Sequence, residues 1–205
     1  RHKYAGAPQM LAEAMDCSIV NGGDGVHEHP TQALLDLYTM RQSLGKLEGL
    51  RVGIVGDVCH SRVAGSLVPA LRKVGATPVV IGPPTLMPAR PDVLGAEVAY
   101  DLDEVLPSLD VAYLLRVQFE RAARMPFPSN REYASLYGLN VARMAKLPSH
   151  AIVMHPGPMN RGVEITADVA DSPRSVILDQ VESGVAVRMA VMYLLLGGAE
   201  GGAAA

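Results

Sequence analysis

The chain has 205 residues, 49% of them hydrophobic and 19% charged, which suits a folded protein of one large or two small domains and excludes a disordered or collagen-like chain. Its 18 Lys and Arg against 21 Asp and Glu give a formal net charge of -3, so no overall basic field exists to hold nucleic acid or an anionic membrane. The longest apolar run, Met189 to Leu196, is far shorter than the roughly 20 residues that cross a bilayer, and Cys17 and Cys59 form neither a CxxC pair nor a disulfide framework, which fits a reducing cytoplasm.

In chain order, Cys17 to Val20 reads as a short strand, followed by the polar turn Asn21 to Gly25. Pro30 opens a helix whose apolar residues fall at helical spacing through Leu44, and Gly45 closes it. Leu50 to Asp57 is a buried strand running into a turn, and Ser61 caps a second helix that Gly75 ends. Thr77 to Ile81 is the next strand, before a proline-rich loop, Gly82 to Pro91, that is predicted to be non-helical. Val98 to Tyr100 reads as an edge strand, Asp101 caps a brief helix to Leu106, and Val111 to Leu115 is a strand ending in Arg116-Val117-Gln118. Two short helices precede Leu147, Ala151 to Met154 is the last strand, and Ser172-Pro173 starts a long helix to Leu196. This alternation predicts an α/β fold, a parallel sheet with helices on both faces.

Chemistry in such sheets collects at the carboxyl ends of the strands, where this chain places its unusual residues. His29 and Gln32 stand one helical turn apart and can face one ligand; they equally suit a helix cap and a solvated surface residue. Arg62, Arg116 and Arg161 each read alone as solvated surface charges, but together at strand ends they suit the oxygens of a small dianion. His155-Pro156-Gly157-Pro158 is a stiff loop whose backbone can meet a ligand; its bland reading is a loop corner with His155 as a satisfied interior histidine. The strand Val52 to Gly56 lacks the dinucleotide fingerprint, since Val58 and Ser61 stand where glycines are needed. His27 and His29, or Cys59 and His60, have no third and fourth metal ligand, and no Ser or Cys sits in a nucleophile elbow. Neither a metal nor a cofactor is expected.

These four blocks, in this order, resemble the aspartate carbamoyltransferase family: Gly23-Asp24-Gly25 with His29 to Asp36 (HPTQALLD), Gly56-Asp57 with His60 to Ala64 (HSRVA), Arg116 to Arg121 (RVQFER), and His155 to Ile165 (HPGPMNRGVEI). The segment Gln180 to Val191 fits as well. Ornithine-type enzymes, the sibling alternative, carry Cys where Thr31 stands and His-Cys-Leu-Pro where His155 to Pro158 stand. The resemblance implies attack of L-aspartate on carbamoyl phosphate, giving N-carbamoyl-L-aspartate and phosphate in pyrimidine synthesis. It assigns Arg1, His29 and Gln32 to the carbamoyl group, with Arg1 and His29 steadying the carbonyl oxygen. Arg62, Arg116 and Gln118 would hold the aspartate carboxylates, and the backbone around Pro156 and Gly157 would meet the amine and carbamoyl nitrogen. Phe119 to about Tyr137 corresponds to the family's closing loop.

The same resemblance divides the chain into the end of a carbamoyl-phosphate domain with its connecting helix (1–44), an aspartate-binding domain (45–172), a returning helix (173–196) and a flexible tail (197–205). A cytoplasmic homotrimer with shared active sites is implied, with room for regulatory or dihydroorotase subunits. Two departures stand out: Gly65-Ser66-Leu67 replaces the Arg-Ser-Asn of many bacterial members, and Lys3 replaces a common proline. The family's Ser-Thr-Arg-Thr phosphate motif and its lysine-bearing loop do not occur in the 205 residues. Together with Arg1 in place of an initiator Met, this leads to the expectation of a fragment lacking its amino-terminal part and inactive alone. A non-catalytic scaffold subunit of a pyrimidine-synthesis complex is the alternative; retention of Arg62, Arg116, Gln118, His29 and Gln32 speaks against it.

Overall fold

The computed structural model describes residues 1–117 and 128–197. Among these, strands β1 (Arg51–Val55), β2 (Thr77–Ile81), β3 (Glu97–Ala99), β4 (Val111–Leu114) and β5 (Ile152–Met154) form one parallel sheet in the order β3-β2-β1-β4-β5. β1, β2, β4 and β5 are largely apolar on both faces because both are covered, while the edge strand β3 is only partly buried. Val52 and Ile54 of β1, Val80 of β2, and Val111 and Tyr113 of β4 join one core cluster, with Met40, Leu67 and Leu71 from helices α2 (Pro30–Leu44) and α3 (Arg62–Lys73). Val55, Val79, Ala112 and Leu114 face the other cluster. That cluster contains Leu102 of α4 (Leu102–Val105), Tyr133 and Tyr137 of α5 (Asn130–Tyr137), and Val169 of α7 (Ala167–Ala170). Between α5 and α7 lies α6 (Val141–Met144), whose Arg143 donates to Asp103 and to the Gly138 carbonyl. The last helix, α8 (Ile177–Leu195), packs against α2 and β5.

Local chemistry explains most element ends. Gly45 closes α2 in the left-handed conformation, its N–H bonded to the Arg41 carbonyl. Ser61 caps α3 by accepting the Ala64 N–H at 3.1 Å, and Asp101 caps α4 through the Asp103 and Glu104 amides.

Three expectations need correction. Cys17 to Val20 is no strand: Cys17, Ser18 and Val20 are exposed, and among the described residues the segment pairs with no strand and so has no ladder to satisfy an extended backbone. The proline-rich loop contains a 3₁₀ turn at Pro84–Leu86 and runs into a second at Pro91–Leu94, each of which a proline at the first position permits. The last helix begins at Ile177, not at Ser172. Residues 174–176 are used as backbone partners of β5, with Val153 N–H donating to the Arg174 carbonyl at 2.9 Å and Val176 N–H to the Val153 carbonyl at 3.0 Å. Helix α1 (Ala7–Ala14) was not predicted; it buries no residue.

The amino-terminal segment is laid beside the 21–28 turn. His2 N–H donates to the Gly23 carbonyl at 3.0 Å and Gly25 N–H to the His2 carbonyl at 2.9 Å. Asp24 gathers the Gly6 N–H at 2.7 Å, the Asn21 amide at 2.9 Å and the Glu28 N–H at 3.1 Å, with the His27 ring at 3.0 Å. Burial alone would raise its carboxyl pKa, but these bonds hold it well below the usual carboxylate range.

Gly65, one of the departures from the family pattern, sits in the first turn of α3, where an added Cβ would lie 2.2 Å from the His27 carbonyl oxygen. Alanine is favoured over glycine in a helix by about 1 kcal/mol. The clash is with backbone, however, and overpacking costs about 1–3 kcal/mol. Gly65→Ala is therefore expected to lower stability in urea unfolding; equal or higher stability would show that the turn and helix are not held this close.

Candidate active site

The sheet's connections run to opposite sides of β1, towards β2 and β3 on one side and β4 and β5 on the other. A crevice therefore lies at the carboxyl ends of β1 and β4. It holds a cavity of about 320 Å³ whose lining includes Arg1, His29, Gln32, Arg62, Arg116, Pro156 and Gly157. The residues assigned to the site are thus brought to one place, except Gln118, which lies outside the described residues, as does 119–127 of the predicted Phe119 to Tyr137 loop; Arg161 is not among the lining residues.

His29 and Gln32 come from the first turn of α2. Both are buried, and His29 makes no side-chain cap bond, so neither fits the reading of cap and solvated residue. The His29 N–H donates to Ser66 Oγ at 2.8 Å, which ties α2 to α3. Thr31 Oγ1 lies 3.4 Å from His29 Nδ1; in the tautomer where this hydroxyl donates to Nδ1, Nε2 carries its proton. Burial, then the charges of Arg62, Arg1 and Arg188, push the imidazole down to about 4, so the ring is neutral at neutral pH.

Arg62 is the first residue of α3, directly after the Ser61 cap. Its guanidinium lies against Gly23, where a Cβ would be 2.9 Å from Cζ and where φ is +120°. That glycine therefore provides both the turn and the room for the arginine. Arg116 follows β4. Pro156 and Gly157 follow β5 in a loop built around His155, which is buried with Nδ1 accepting the Gly157 N–H at 2.9 Å and Nε2 3.2 Å from Glu164 Oε1. The His155 side chain is thus the satisfied interior histidine of the bland reading, and its loop carries the backbone to the cavity. Arg161 takes no part: it forms a two-pronged pair with Asp171 at 2.7 and 2.9 Å on the surface.

Other lining residues were not predicted. Asp57, just after β1, is buried and accepts the His60 N–H at 3.1 Å, with the His60 ring at 2.9 Å. Arg188 reaches in from α8, where its guanidinium lies over Gly184; a Cβ there would be 2.4 Å from Nη1. A glycine one turn before an arginine in α8 was the available signal. Among the described lining residues four are arginines, and Asp57 is the only carboxylate. No three described His, Cys, Asp or Glu side chains converge as a metal site, and no described helix is long and apolar enough to cross a membrane.

Comparison with known proteins gives a consistent set of similarities. Residues 48–195 match the Asp/Orn binding domain of aspartate/ornithine carbamoyltransferase, and residues 1–42 match its carbamoyl-P binding domain. The aspartate carbamoyltransferase catalytic subunits of Salinispora arenicola and Thermobifida fusca are 62% and 59% identical, each over 97% of this chain and over 65% and 64% of their own lengths. The chain therefore spans less than two thirds of these relatives. Aspartate transcarbamoylase from Trypanosoma cruzi in complex with phosphate superposes with a TM-score of 0.82 at 31% identity, over 94% of this chain and 65% of that one. Its complex with carbamoyl phosphate gives 0.83 at 30% identity, over 94% and 64%.

The neutral His29 has a consequence for stability. Its folded pKa lies below the unfolded value of 6.5, so its contribution is full above about pH 6.5 and falls as the pH drops towards about 4. Asp36, buried beneath Gln32, has the opposite sign. Burial pushes its carboxyl up to about 7, against bonds from Tyr113, Gln180 and Gln32 and the charge of Arg188. Its contribution is therefore full below the unfolded value of 3.8 and is lost as the pH rises through about 7. His29→Gln isolates the first effect. The stability difference between the unmodified chain and this variant, read by urea unfolding, is expected to favour the unmodified chain more at pH 7 than at pH 4.5, by on the order of 2 kcal/mol. A difference that is flat, or that grows on acidification, would contradict a buried neutral His29.

Proposed function

The chain belongs to the aspartate/ornithine carbamoyltransferase family, and on that premise we propose that its cavity binds the carbamoyl group and L-aspartate for transfer from carbamoyl phosphate, giving N-carbamoyl-L-aspartate and phosphate. The observation that carries this reading is the convergence of Arg1, Arg62, Arg116 and Arg188 around a neutral His29, with Asp57 as the only carboxylate among the described lining residues. Such a lining suits a dicarboxylate and a phosphorylated donor; a cationic amino acid such as ornithine would meet repulsion there. The name of the Trypanosoma cruzi structure with carbamoyl phosphate and aspartate points to the same pair of ligands.

In this reading Arg62 and Arg116 hold the aspartate carboxylates and leave the α-amine facing the carbamoyl carbon. The amine forms a C–N bond to that carbon, the C–O bond to phosphate breaks, and the amine proton leaves with the phosphate. The carbonyl oxygen gains negative charge in between. His29, kept neutral, donates Nε2–H to it without bringing a full charge of its own, while Arg1 supplies a positive one. The Gly157 carbonyl and its neighbours accept from the amine and carbamoyl nitrogen. Rate enhancement comes from orientation and from fixed donors, with no covalent step on the protein. The Thr31 and His155-Pro156-Gly157-Pro158 positions support the aspartate over the ornithine reading.

The same reading places the protein in pyrimidine biosynthesis in the cytoplasm. It gives the catalytic unit as a homotrimer with shared sites, to which regulatory or dihydroorotase subunits can be added. It also retains the division into 1–44, 45–172 and 173–196. Exposed Leu178, Val181, Val185, Met189, Met192 and Tyr193 on α8 support a life in contact with further protein.

Product binding tests the proposal without requiring turnover. Calorimetric titration is expected to detect N-carbamoyl-L-aspartate and not L-citrulline, its ornithine counterpart. Arg116→Ala should weaken binding by about tenfold or more, the value of a charged hydrogen bond. Equal or tighter binding of citrulline would overturn the aspartate reading.

A further inference from the structure

The side-chain amides of Gln32 and Gln180 share a single acceptor. Gln32 Nε2 donates to Asp36 Oδ1 at 3.0 Å and Gln180 Nε2 to the same oxygen at 2.8 Å, while the Tyr113 hydroxyl donates to Oδ2 at 2.7 Å. All four side chains are buried, and they come from three elements: α2, β4 and α8. Because Oδ1 accepts from both amides, each glutamine turns its NH₂ end to Asp36 and its oxygen away. For Gln180 that oxygen accepts the His155 N–H at 2.9 Å, the residue that opens the Pro156-Gly157 loop. For Gln32, which lines the cavity, Oε1 is left to accept an N–H from a ligand.

We propose that Asp36 is a positioning residue that sets the polarity of two glutamine amides at once, and through them both the acceptor that Gln32 offers a carbamoyl NH₂ and the path of the Pro156-Gly157 backbone. A core with no further task would be served by apolar side chains of the same volume, since removing a carboxylate from water is expensive even when it is fully hydrogen-bonded. Here the carboxylate is retained at the junction of the two segments that meet the carbamoyl group, one on α2 and one after β5. The consequence for ligand binding rests on the proposed function; the shared anchor itself does not.

The test compares Asp36→Leu, Asp36→Asn, Tyr113→Phe and Gln180→Leu in the 205-residue chain, with affinities for N-carbamoyl-L-aspartate read by calorimetry. Asp36→Leu removes both acceptors at equal size and is expected to weaken binding at least tenfold. Asp36→Asn, whose single oxygen can serve both amides while its NH₂ meets the Tyr113 oxygen, should restore most of that loss. Tyr113→Phe removes the donor to Oδ2 and leaves the bonds from both amides to Oδ1 in place, so its affinity should stay within about twofold even if its melting temperature falls. Asp36→Leu at full affinity, or Tyr113→Phe losing as much as Asp36→Leu, would overturn the proposal. If Asp36→Leu does not fold, Gln180→Leu decides, with tenfold weaker binding expected and unchanged binding contradicting the loop tether. If the unmodified chain binds no N-carbamoyl-L-aspartate, the functional reading fails. The anchor is then judged by ¹⁵N NMR: the side-chain NH₂ groups of Gln32 and Gln180 should exchange slowly in the unmodified chain and respond together to Asp36→Asn, and independent responses would refute a shared acceptor.

Discussion

Everything in this structure that bears on ligands depends on one constraint, the position of β1 between β2 and β4 in a fully parallel sheet. Because the chain leaves β1 towards one side and later returns on the other, the loops after β1 and β4 part company and leave a crevice that no connection fills. Asp57 and Arg116 are delivered to its floor by strand ends, Arg62 by the helix that begins just beyond. Burial on both faces keeps the sheet in register, since a slip of one residue would exchange the two core clusters of Val52 and Ile54 against Val55.

On this frame the site is an arrangement of unequal charges. Arginines crowd the cavity, and burial, reinforced by their positive field, keeps His29 neutral. Beneath it, Asp36 is a buried carboxylate with every oxygen occupied by a donor from a different element. The two groups are displaced in opposite directions, the imidazole down and the carboxyl up, as expected when burial disfavours the charged form of each. The result is a cavity with strong donors at its wall and fixed acceptors behind them, suited to a reaction in which an oxygen becomes negative and a nitrogen loses a proton.

Much of this was legible in the sequence because it is written locally. The strand β2 is bounded by Gly75 and Gly82, α2 by Pro30 and Gly45, and α3 by the Ser61 cap, and each is found where its punctuation places it. The strand-end motifs could be read as a site because an α/β sheet sends its strand ends to one side. What was not legible depends on distant partners. Cys17 to Val20 has strand composition but pairs with no strand of the described sheet. Ser172 to Val176 has helical promise but is captured by β5. Arg161 sits in a site motif yet finds Asp171 first, and Arg188 sits in the last helix yet bends back over Gly184 into the cavity. Pairings of this kind are settled by three-dimensional contacts that no short stretch of sequence encodes.

The most direct test of the account is a crystal structure of the chain with N-carbamoyl-L-aspartate. The ligand is expected between Arg62 and Arg116, with its carbamoyl oxygen within hydrogen-bond distance of His29 Nε2 and its carbamoyl nitrogen donating to Gln32 Oε1. A ligand seated away from the crevice between β1 and β4, or with its carbamoyl group turned away from His29 and Gln32, would contradict it.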